Sequence, residues 1–320
     1  MNEKIYKSQY FEHISIKVRI NESNFAKDYI HKNTFMTNKR FHRDEYPLDI
    51  LGEFGLTENM IYDLPDYVHE NIEMGGMSPL LPISIKQPFG STHCYAKFCL
   101  VEVEDGIDVM FSPKLKEADL SNFLKQDRQL LWEGKTIVSE VEEAVLLDDG
   151  TESKKKVKAF VQLDKETNSV VYTPTQIIGR NLQTLSNEFD LSENELQGFW
   201  KGELVTTEIS DDNKGVANIT IGIDLFSEKG VVLVPGGVAQ WNRIVHKSMP
   251  EYNFGNDGCW VNRHGLLEYV PEENFTQDIL EALERQARQS GVPTDTLQNI
   301  SDGHRYSDGE AYDEARQITR

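Results

Sequence analysis

The sequence is poor in cysteine and in basic residues. It has three cysteines in 320 residues, and an odd, sparse count of this kind excludes a disulfide framework. Lysine and arginine number 33 against 53 acidic residues, so the formal net charge is −20 at pH 7. Because a protein that binds the phosphate backbone of nucleic acid needs a basic face, this balance argues against that class. We expect no nonspecific binding to nucleic acid.

Long hydrophobic runs are missing as well. No apolar run approaches the length of about 18 residues that crosses a bilayer. The first 18 residues carry charged and polar side chains where a secretory signal peptide needs an apolar core. These features predict a cytoplasmic protein that does not contact a membrane.

The common motifs of phosphate chemistry are not found. No Gly-x-x-x-x-Gly-Lys-Ser/Thr segment occurs, so the sequence has no P-loop. His42-Arg43-Asp44 imitates the catalytic loop of a protein kinase, but Asp49 stands where that loop requires asparagine. The sequence therefore disfavours both a P-loop nucleotide-binding protein and a protein kinase.

Three segments of the sequence end in the same way, with an apolar run that stops at a proline. The prolines are Pro113, Pro174 and Pro235, which are separated by two equal intervals of 61 residues. A polar turn precedes each run, and before each turn apolar and polar residues alternate, as is typical of half-buried strands. This pattern predicts three copies of a hairpin whose second strand ends at the proline.

A short helix is predicted upstream of each hairpin. Thr57, Ser121 and Ser192 stand where an N-cap would begin it, and Ser192 with Glu195 fits a capping box. An additional strand is predicted between each helix and its hairpin, at residues 81–86, 136–141 and 204–209.

A Trp-x-Gly triplet recurs at the end of the second and third predicted helices, beginning at Trp132 and Trp200. Glycine is favoured just after a helix because it tolerates the left-handed conformation found there. Since internal repetition places both tryptophans, we expect them to be equivalent residues of the core.

Together these patterns predict an α+β fold made of three tandem units, each with one helix and a three-stranded antiparallel sheet. The predicted units span residues 47–113, 114–185 and 186–235. Residues 1–46 precede them, with a strand candidate at Ile14–Ile20 and a basic segment. Residues 236–291 follow them as an aromatic-rich segment with an amphipathic helix at 274–290. We expect residues 292–320, which have little apolar content, to be a mobile tail.

The middle of the sequence resembles a known family. Residues 46–56 read Tyr-Pro-Leu-Asp-Ile-Leu-Gly-Glu-Phe-Gly-Leu, and residues 78–86 read Ser-Pro-Leu-Leu-Pro-Ile-Ser-Ile-Lys. With Asp-Lys-Glu-Thr-Asn at 164–168 and Leu-Ser-Glu-Asn at 191–194, they resemble an uncharacterised domain family of Bacteroidetes and the companion domain that often follows it. The resemblance covers about residues 47–235. It implies an accessory part of a mobile-element protein and carries over no catalytic residue.

One part of the sequence combines the residue types of a nucleophile, a base and an acid. A cysteine nucleophile needs an imidazole within hydrogen-bonding reach and donors for the oxyanion. The alternative is a turn at 256–258 followed by a core strand, and the sequence favours that alternative. The catalytic candidates are His246, Asp257, Cys259 and His264.

No metal or cofactor is expected. His93, Cys94 and Cys99 have the side chains of metal ligands, but the two cysteines are an odd number of residues apart, so they face opposite sides of a strand. A buried or edge position for these thiols explains them better than a zinc site.

Two further sets of residues are candidates for contacts with partners. The aromatic residues of the C-terminal segment suit a protein interface, with a place in the core as the alternative: Trp241, Tyr252, Phe254 and Trp260. Basic residues suit phosphate contact, with simple solvation as the alternative: Lys39, Arg40 and Arg43, and the lysines at 154–158, which we expect in a hairpin turn.

The leading hypothesis is a non-catalytic accessory or interaction protein of a Bacteroidetes mobile genetic element that acts through protein–protein contacts. Two alternatives stay open. The first is an acidic decoy that mimics DNA and inhibits a DNA-binding host factor, which an acidic stripe of regular spacing would favour. The second is an enzyme with a Cys/His site after residue 236, which a cleft holding Cys259 beside His246 or His264 would favour.

Overall fold

A computed structural model describes residues 17–18, 39–87, 89–104, 106–146, 152–211, 215–227, 229–245 and 247–289. Its strands are β1 (Lys17–Val18), β2 (Leu81–Gln87), β3 (Gly90–Val103), β4 (Gly106–Pro113), β5 (Ile137–Leu146), β6 (Glu152–Asp164), β7 (Ser169–Pro174), β8 (Val205–Asp211), β9 (Gly215–Ile223), β10 (Val231–Pro235), β11 (Tyr252–Phe254), β12 (Gly258–Arg263) and β13 (Leu266–Pro271). Its α-helices are α1 (Leu48–Glu53), α2 (Glu58–Tyr62), α3 (Asp66–Glu73), α4 (Lys125–Trp132), α5 (Thr175–Phe189), α6 (Glu193–Trp200), α7 (Val238–Val245) and α8 (Gln277–Gln289).

The fold is α+β, as the sequence predicts. Strands β2–β4, β5–β7 and β11–β13 form three antiparallel sheets, and β8–β10 form a fourth, to which β1 adds as a parallel edge strand. The chain divides into two compact units. Unit 1 is Met1–Arg40, Met74–Gly76 and Leu115–Lys247, and unit 2 is Phe41–Glu73, Met77–Lys114 and Ser248–Arg320.

The three repeated sheets share one staggered pairing pattern. In each, the central strand pairs its first part with the preceding strand and its last part with the following strand. The register shows this for β3 against β2 and β4, for β6 against β5 and β7, and for β9 against β8 and β10. The third strand of each sheet ends at the repeated proline. The prediction of three hairpins that stop at a proline is confirmed.

Two of the three predicted N-caps are confirmed. Thr57 accepts a hydrogen bond from the Met60 amide, and Ser192 with Glu195 forms the capping box, in which the Ser192 amide donates to Glu195 Oε2 over 2.8 Å. The third was wrong, because α4 begins only at Lys125. The Ser121 hydroxyl donates instead to the Asp119 carboxylate over 2.6 Å, and this local bond competes with helix initiation.

The helix ends at the two tryptophans are equivalent, as predicted. Helix α4 ends at Trp132 and α6 ends at Trp200. Gly134 and Gly202 both have φ of +83°, which is the left-handed conformation that glycine adopts without steric cost.

The prediction that both tryptophans lie in the core was wrong. Trp132 is 49% exposed and Trp200 is 43% exposed, whereas the preceding residues, Leu131 and Phe199, are fully buried. Successive side chains on a helix are about 100° apart. The core side of the last turn is therefore taken by the residue before each tryptophan.

The prediction of one helix per unit does not account for α1 and α3, which lie on either side of α2 in the first repeat, or for α5. The apolar stripe of α5 packs against Phe160 of β6 and against the inner face of β8–β10. The opposite face of β10 is covered by α7, whose Trp241 contacts Val232 and Val234. The stripe consists of Ile178, Leu182, Leu185 and Phe189.

In unit 2 the C-terminal sheet lies between α8 and the core of the first repeat. Trp260 of β12 belongs to the cluster formed by α1–α3 and β2–β3, and its indole Nε1 donates to the Met60 carbonyl over 2.9 Å. Cys259 and Val261 face the other way, toward α8. The predicted amphipathic helix is confirmed, because α8 buries Ile279 and Leu283.

Asp63, which follows α2, joins the first repeat to the C-terminal sheet within unit 2. Its buried carboxylate accepts hydrogen bonds from the Asn256 amide, from the Asp257 amide over 3.0 Å and from the Tyr269 hydroxyl over 2.6 Å. A Cβ atom on Gly255 would lie 2.0 Å from Asp63 Cγ, so the turn before β12 needs glycine at that position. We call these residues the Asp63 clasp.

Some sequence predictions fall elsewhere. In the stretch predicted as an N-terminal strand, the structure describes Lys17–Val18, which pair with β10. Ile14, Ile16 and Ile20, together with residues 292–320, lie outside the described residues. In the described part of the chain, no helix is both long enough and apolar enough to cross a bilayer.

Candidate functional site

Among the catalytic candidates that the structure describes, Cys259 and His264 are not brought together. Cys259 is buried at the start of β12, and His264 is exposed in the turn after that strand with a φ of +57°. The extended chain from Cys259 to the end of β12 at Arg263 alone spans about 13 Å. Asp257 is exposed in the preceding turn, and His246 lies outside the described residues. The Cys259–His264 pair is therefore too far apart for nucleophile activation.

The metal-ligand types in β3 are dispersed too. Cys99 is buried, Cys94 is partly exposed and His93 is exposed. Within the described ranges, no group of three His, Cys, Asp or Glu side chains is placed to hold a metal ion.

Three of the four aromatic residues considered for an interface belong to cores instead. The buried residues are Trp241, Phe254 and Trp260. Each of these side chains lies where a sheet packs against helices. Tyr252 alone is partly exposed, and its hydroxyl donates to Asp278 Oδ2 over 3.3 Å. For these three residues the structure shows the other possibility given by the sequence, a place in the core.

Arg43, considered for phosphate contact, is held by carboxylates. Its Nε donates to Glu73 Oε1 over 2.9 Å and its Nη2 donates to Asp66 Oδ1 over 3.1 Å. The guanidinium charge is thereby neutralised within unit 2. Lys39 is exposed and Arg40 partly exposed at the start of the same described segment.

A buried histidine lies beside this ion pair. His69 of α3 is buried against Tyr46, whose hydroxyl lies 3.5 Å from His69 Nδ1. Burial, together with repulsion by Arg43, lowers the pKa of His69 from 6.5 to about 4, although the Tyr62 carbonyl and the acidic groups of Glu73 and Asp66 oppose the shift. The imidazole is therefore neutral at physiological pH and serves packing.

We expect His69 to make stability fall in acid. Its pKa is lower in the folded chain than in the unfolded chain, so the unfolded chain binds more protons between about pH 4 and 6.5. The unfolding free energy should drop by about 3 kcal/mol from pH 7 to pH 4 through this group. Urea denaturation across that range should show the drop in the wild type and a drop smaller by this amount in His69→Gln. Parallel pH profiles would contradict the assignment.

All three repeats share a two-stranded extension of the first hairpin, which contributes Ile83 of the first repeat and Ile209 of the third to the cores. In each sheet the first hairpin continues beyond the third strand as two paired strands, which we call an arm. Arm 1 pairs 82–87 with 90–95, arm 2 pairs 140–146 with 152–158, and arm 3 pairs 208–211 with 215–218.

Arm 1 presents an aromatic side chain at its tip. Phe89 is 103% exposed beside the closing pair Gln87–Gly90. The neighbouring residues from Gly90 to His93 are also exposed, as is Lys86. A fully exposed phenylalanine at a hairpin tip contributes nothing to the core of unit 2, and it has the character of an interface anchor.

Arm 2 carries opposite charges on its two strands. Glu140, Glu142 and Glu143 of β5 lie directly opposite Lys158, Lys156 and Lys155 of β6. Lys154 forms an ion pair with Glu142 over 3.3 Å. The expectation that these lysines occupy a hairpin turn was wrong, because they belong to β6.

Arm 3 is the shortest, and one of its faces is packed. Ile209 is buried in the core of unit 1, whereas Glu208 and Asn218, which lie opposite each other, are exposed.

The arms were not predicted from the sequence. The alternation of charged residues with valine at 140–142 and 156–158 is a strand signal that could have indicated arm 2.

Comparison with known proteins gives no assignment. No family model, no curated protein and no solved structure matches the chain.

Proposed function

We propose that this is a non-catalytic interaction protein whose arms contact protein partners, and that it serves a Bacteroidetes mobile genetic element. The observation that supports the proposal is the extension of the first hairpin beyond the third strand in all three repeats. The resemblance of residues 47–235 to accessory domains supports the mobile-element setting.

The arms are suited to recognition for a physical reason. The exposed parts of the arms include residues 90–93 in arm 1 and the lysines of 154–158 in arm 2. Because a two-stranded ribbon without a packed face is at best marginally stable, these exposed parts add little to folding. In arm 2 the extension also adds an edge of β6 with which no other described strand pairs, and such edges bind extended segments through backbone hydrogen bonds. In arms 1 and 2 the extension also exposes a phenylalanine and a row of lysines.

Charge favours protein over nucleic acid as the partner. Residues 47–113 hold 11 acidic and two basic residues. In arm 2, each of the three lysines at 155, 156 and 158 lies opposite a glutamate. A phosphate backbone laid across that ribbon would meet both signs of charge.

We therefore expect no measurable binding to duplex DNA at about 0.15 M salt, where ordinary DNA-binding proteins still bind nonspecifically. Fluorescence anisotropy with a labelled duplex measures this. Because the glutamates offset the lysines, the triple variant Glu140→Gln, Glu142→Gln, Glu143→Gln should bind more strongly than the wild type. Salt-sensitive binding by the wild type would contradict the proposed function.

Affinity purification from the native host tests the proposal directly. The arm variants are Phe89→Ser, and Lys154→Glu, Lys155→Glu, Lys156→Glu together. The control carries Lys116→Glu, Lys125→Glu and Lys201→Glu, three exposed lysines outside the arms that give the same change in charge. We expect at least one partner protein to be recovered with the wild type and the control and lost with an arm variant. An identical set of partners for all the proteins would refute the proposal.

A further inference from the structure

We propose that the free edge of β6 in arm 2 binds an extended acidic segment of a partner protein as an added strand. The inference rests on the proposed function and names the class of partner for one arm. The edge in question is the side of residues 152–158 that faces away from β5.

The pairing pattern leaves this edge open. Strand β7 pairs with β6 only from Ala159 to Asp164, whereas β5 pairs with β6 from Glu152 onward. Residues 152–158 thus have a strand on one side only among the described residues. The backbone N–H and C=O groups of such an edge are a template for another strand.

The side chains on this edge select for acidic residues. Lys154, Lys155, Lys156 and Lys158 are all exposed. Lys154 is paired with Glu142, while the other three ammonium groups make no ion pair with a described residue. An added strand would lie about 4.8 Å from β6 and about 10 Å from β5. At about 10 Å the field of the glutamates is largely screened in physiological salt, so the lysines dominate.

The same geometry disfavours other occupants. Pairing with β6 of a second copy would place lysines directly opposite lysines, which is destabilising. A DNA duplex, whose major groove alone is about 12 Å wide, would cover both strands and meet the glutamates of β5. A single acidic strand fits beside β6 without reaching that row.

The test uses the full chain and a fluorescein-labelled synthetic peptide, Glu-Thr-Glu-Val-Glu-Thr-Glu-Val, with a second peptide that has lysine in place of glutamate. We expect the acidic peptide to raise anisotropy saturably and the basic peptide to bind at least ~10-fold more weakly. Lys154→Glu, Lys155→Glu, Lys156→Glu should weaken acidic-peptide binding at least ~10-fold, and Lys116→Glu, Lys125→Glu, Lys201→Glu should not.

Hydrogen exchange separates strand addition from loose charge attraction. Amides in 152–158 should exchange more slowly when the acidic peptide is bound. Equal binding of both peptides, equal loss in the two triple variants, binding without this protection, or binding of duplex in place of peptide would each overturn the inference.

The two proposals fail in different ways. If the arm variants lose a partner from the host but the acidic peptide does not bind, the added-strand inference is wrong and the proposed function stands. If the peptide binds with protection of 152–158 but the recovered partners are unchanged, the edge binds acidic strands and the proposed function is wrong.

Discussion

Replacement of Asp63 by alanine should lower the free energy of unfolding by about 3–5 kcal/mol, one of the largest single-residue effects we expect in this protein. The Asp63 carboxylate is buried and accepts hydrogen bonds from two backbone amides and from the Tyr269 hydroxyl. Alanine removes the acceptor that these three donors share, and the loss of three partly buried hydrogen bonds is costly. Midpoints and slopes of urea denaturation measure the change.

Two further variants identify the Asp63 clasp as the cause. Asp63→Asn keeps one oxygen acceptor and most of the volume, so it should lose less stability than Asp63→Ala. Gly255→Ala should be strongly destabilising, because its Cβ would lie 2.0 Å from Asp63 Cγ. In the Asp63→Ala background the same substitution should cost less, since the clashing group is gone. A loss below about 1 kcal/mol for Asp63→Ala would contradict the role we assign to it.

The second large effect concerns the helix ends of the second and third repeats. Leu131→Ala should cost about 2–5 kcal/mol and Phe199→Ala about 3–5 kcal/mol, because both residues are fully buried and alanine leaves a cavity. The adjacent tryptophans are about half exposed, so Trp132→Ala should cost less than about 1 kcal/mol. Trp200→Ala should cost somewhat more than Trp132→Ala, because its ring stacks on Phe160 at a centroid distance of 6.2 Å.

Each tryptophan variant is the matched control for the buried residue before it, since both lie in the last turn of the same helix. Denaturation midpoints of the four variants should separate into two high-cost and two low-cost proteins. A tryptophan variant as destabilised as its neighbour would mean that the core extends over the end of that helix.

The local features of the fold could be predicted from sequence because their signals are local. The strand ends at Pro113, Pro174 and Pro235 follow from a residue that lacks a backbone donor. The cap at Ser192 and the glycine at the left-handed position after α4 and α6 depend on side chains within a few residues. Helix α5 also carries its own stripe, but a strict repeat of one helix and three strands leaves no place for it.

The candidate site was harder to predict, because it depends on which strands pair and how far. In the sequence, the lysines at 154–156 are typical of a charged turn. Only the strand register shows that they lie opposite β5 and beyond the end of β7. The length of an arm is the number of central-strand residues that pair with the first strand but not with the third. The sequence of one strand alone does not specify this number.

Sequence alone determined the fold class, the repeated hairpins and the amphipathic α8, because periodicity and turn residues act over short distances. Only the tertiary structure decided which aromatic residues are buried. Trp260 lies in the core of the first repeat, about 200 residues away in the sequence, whereas Trp132 and Trp200 remain half exposed. Burial depends on which surfaces pack together in the folded chain. Neither amino-acid composition nor helix propensity tells whether a particular tryptophan will be buried.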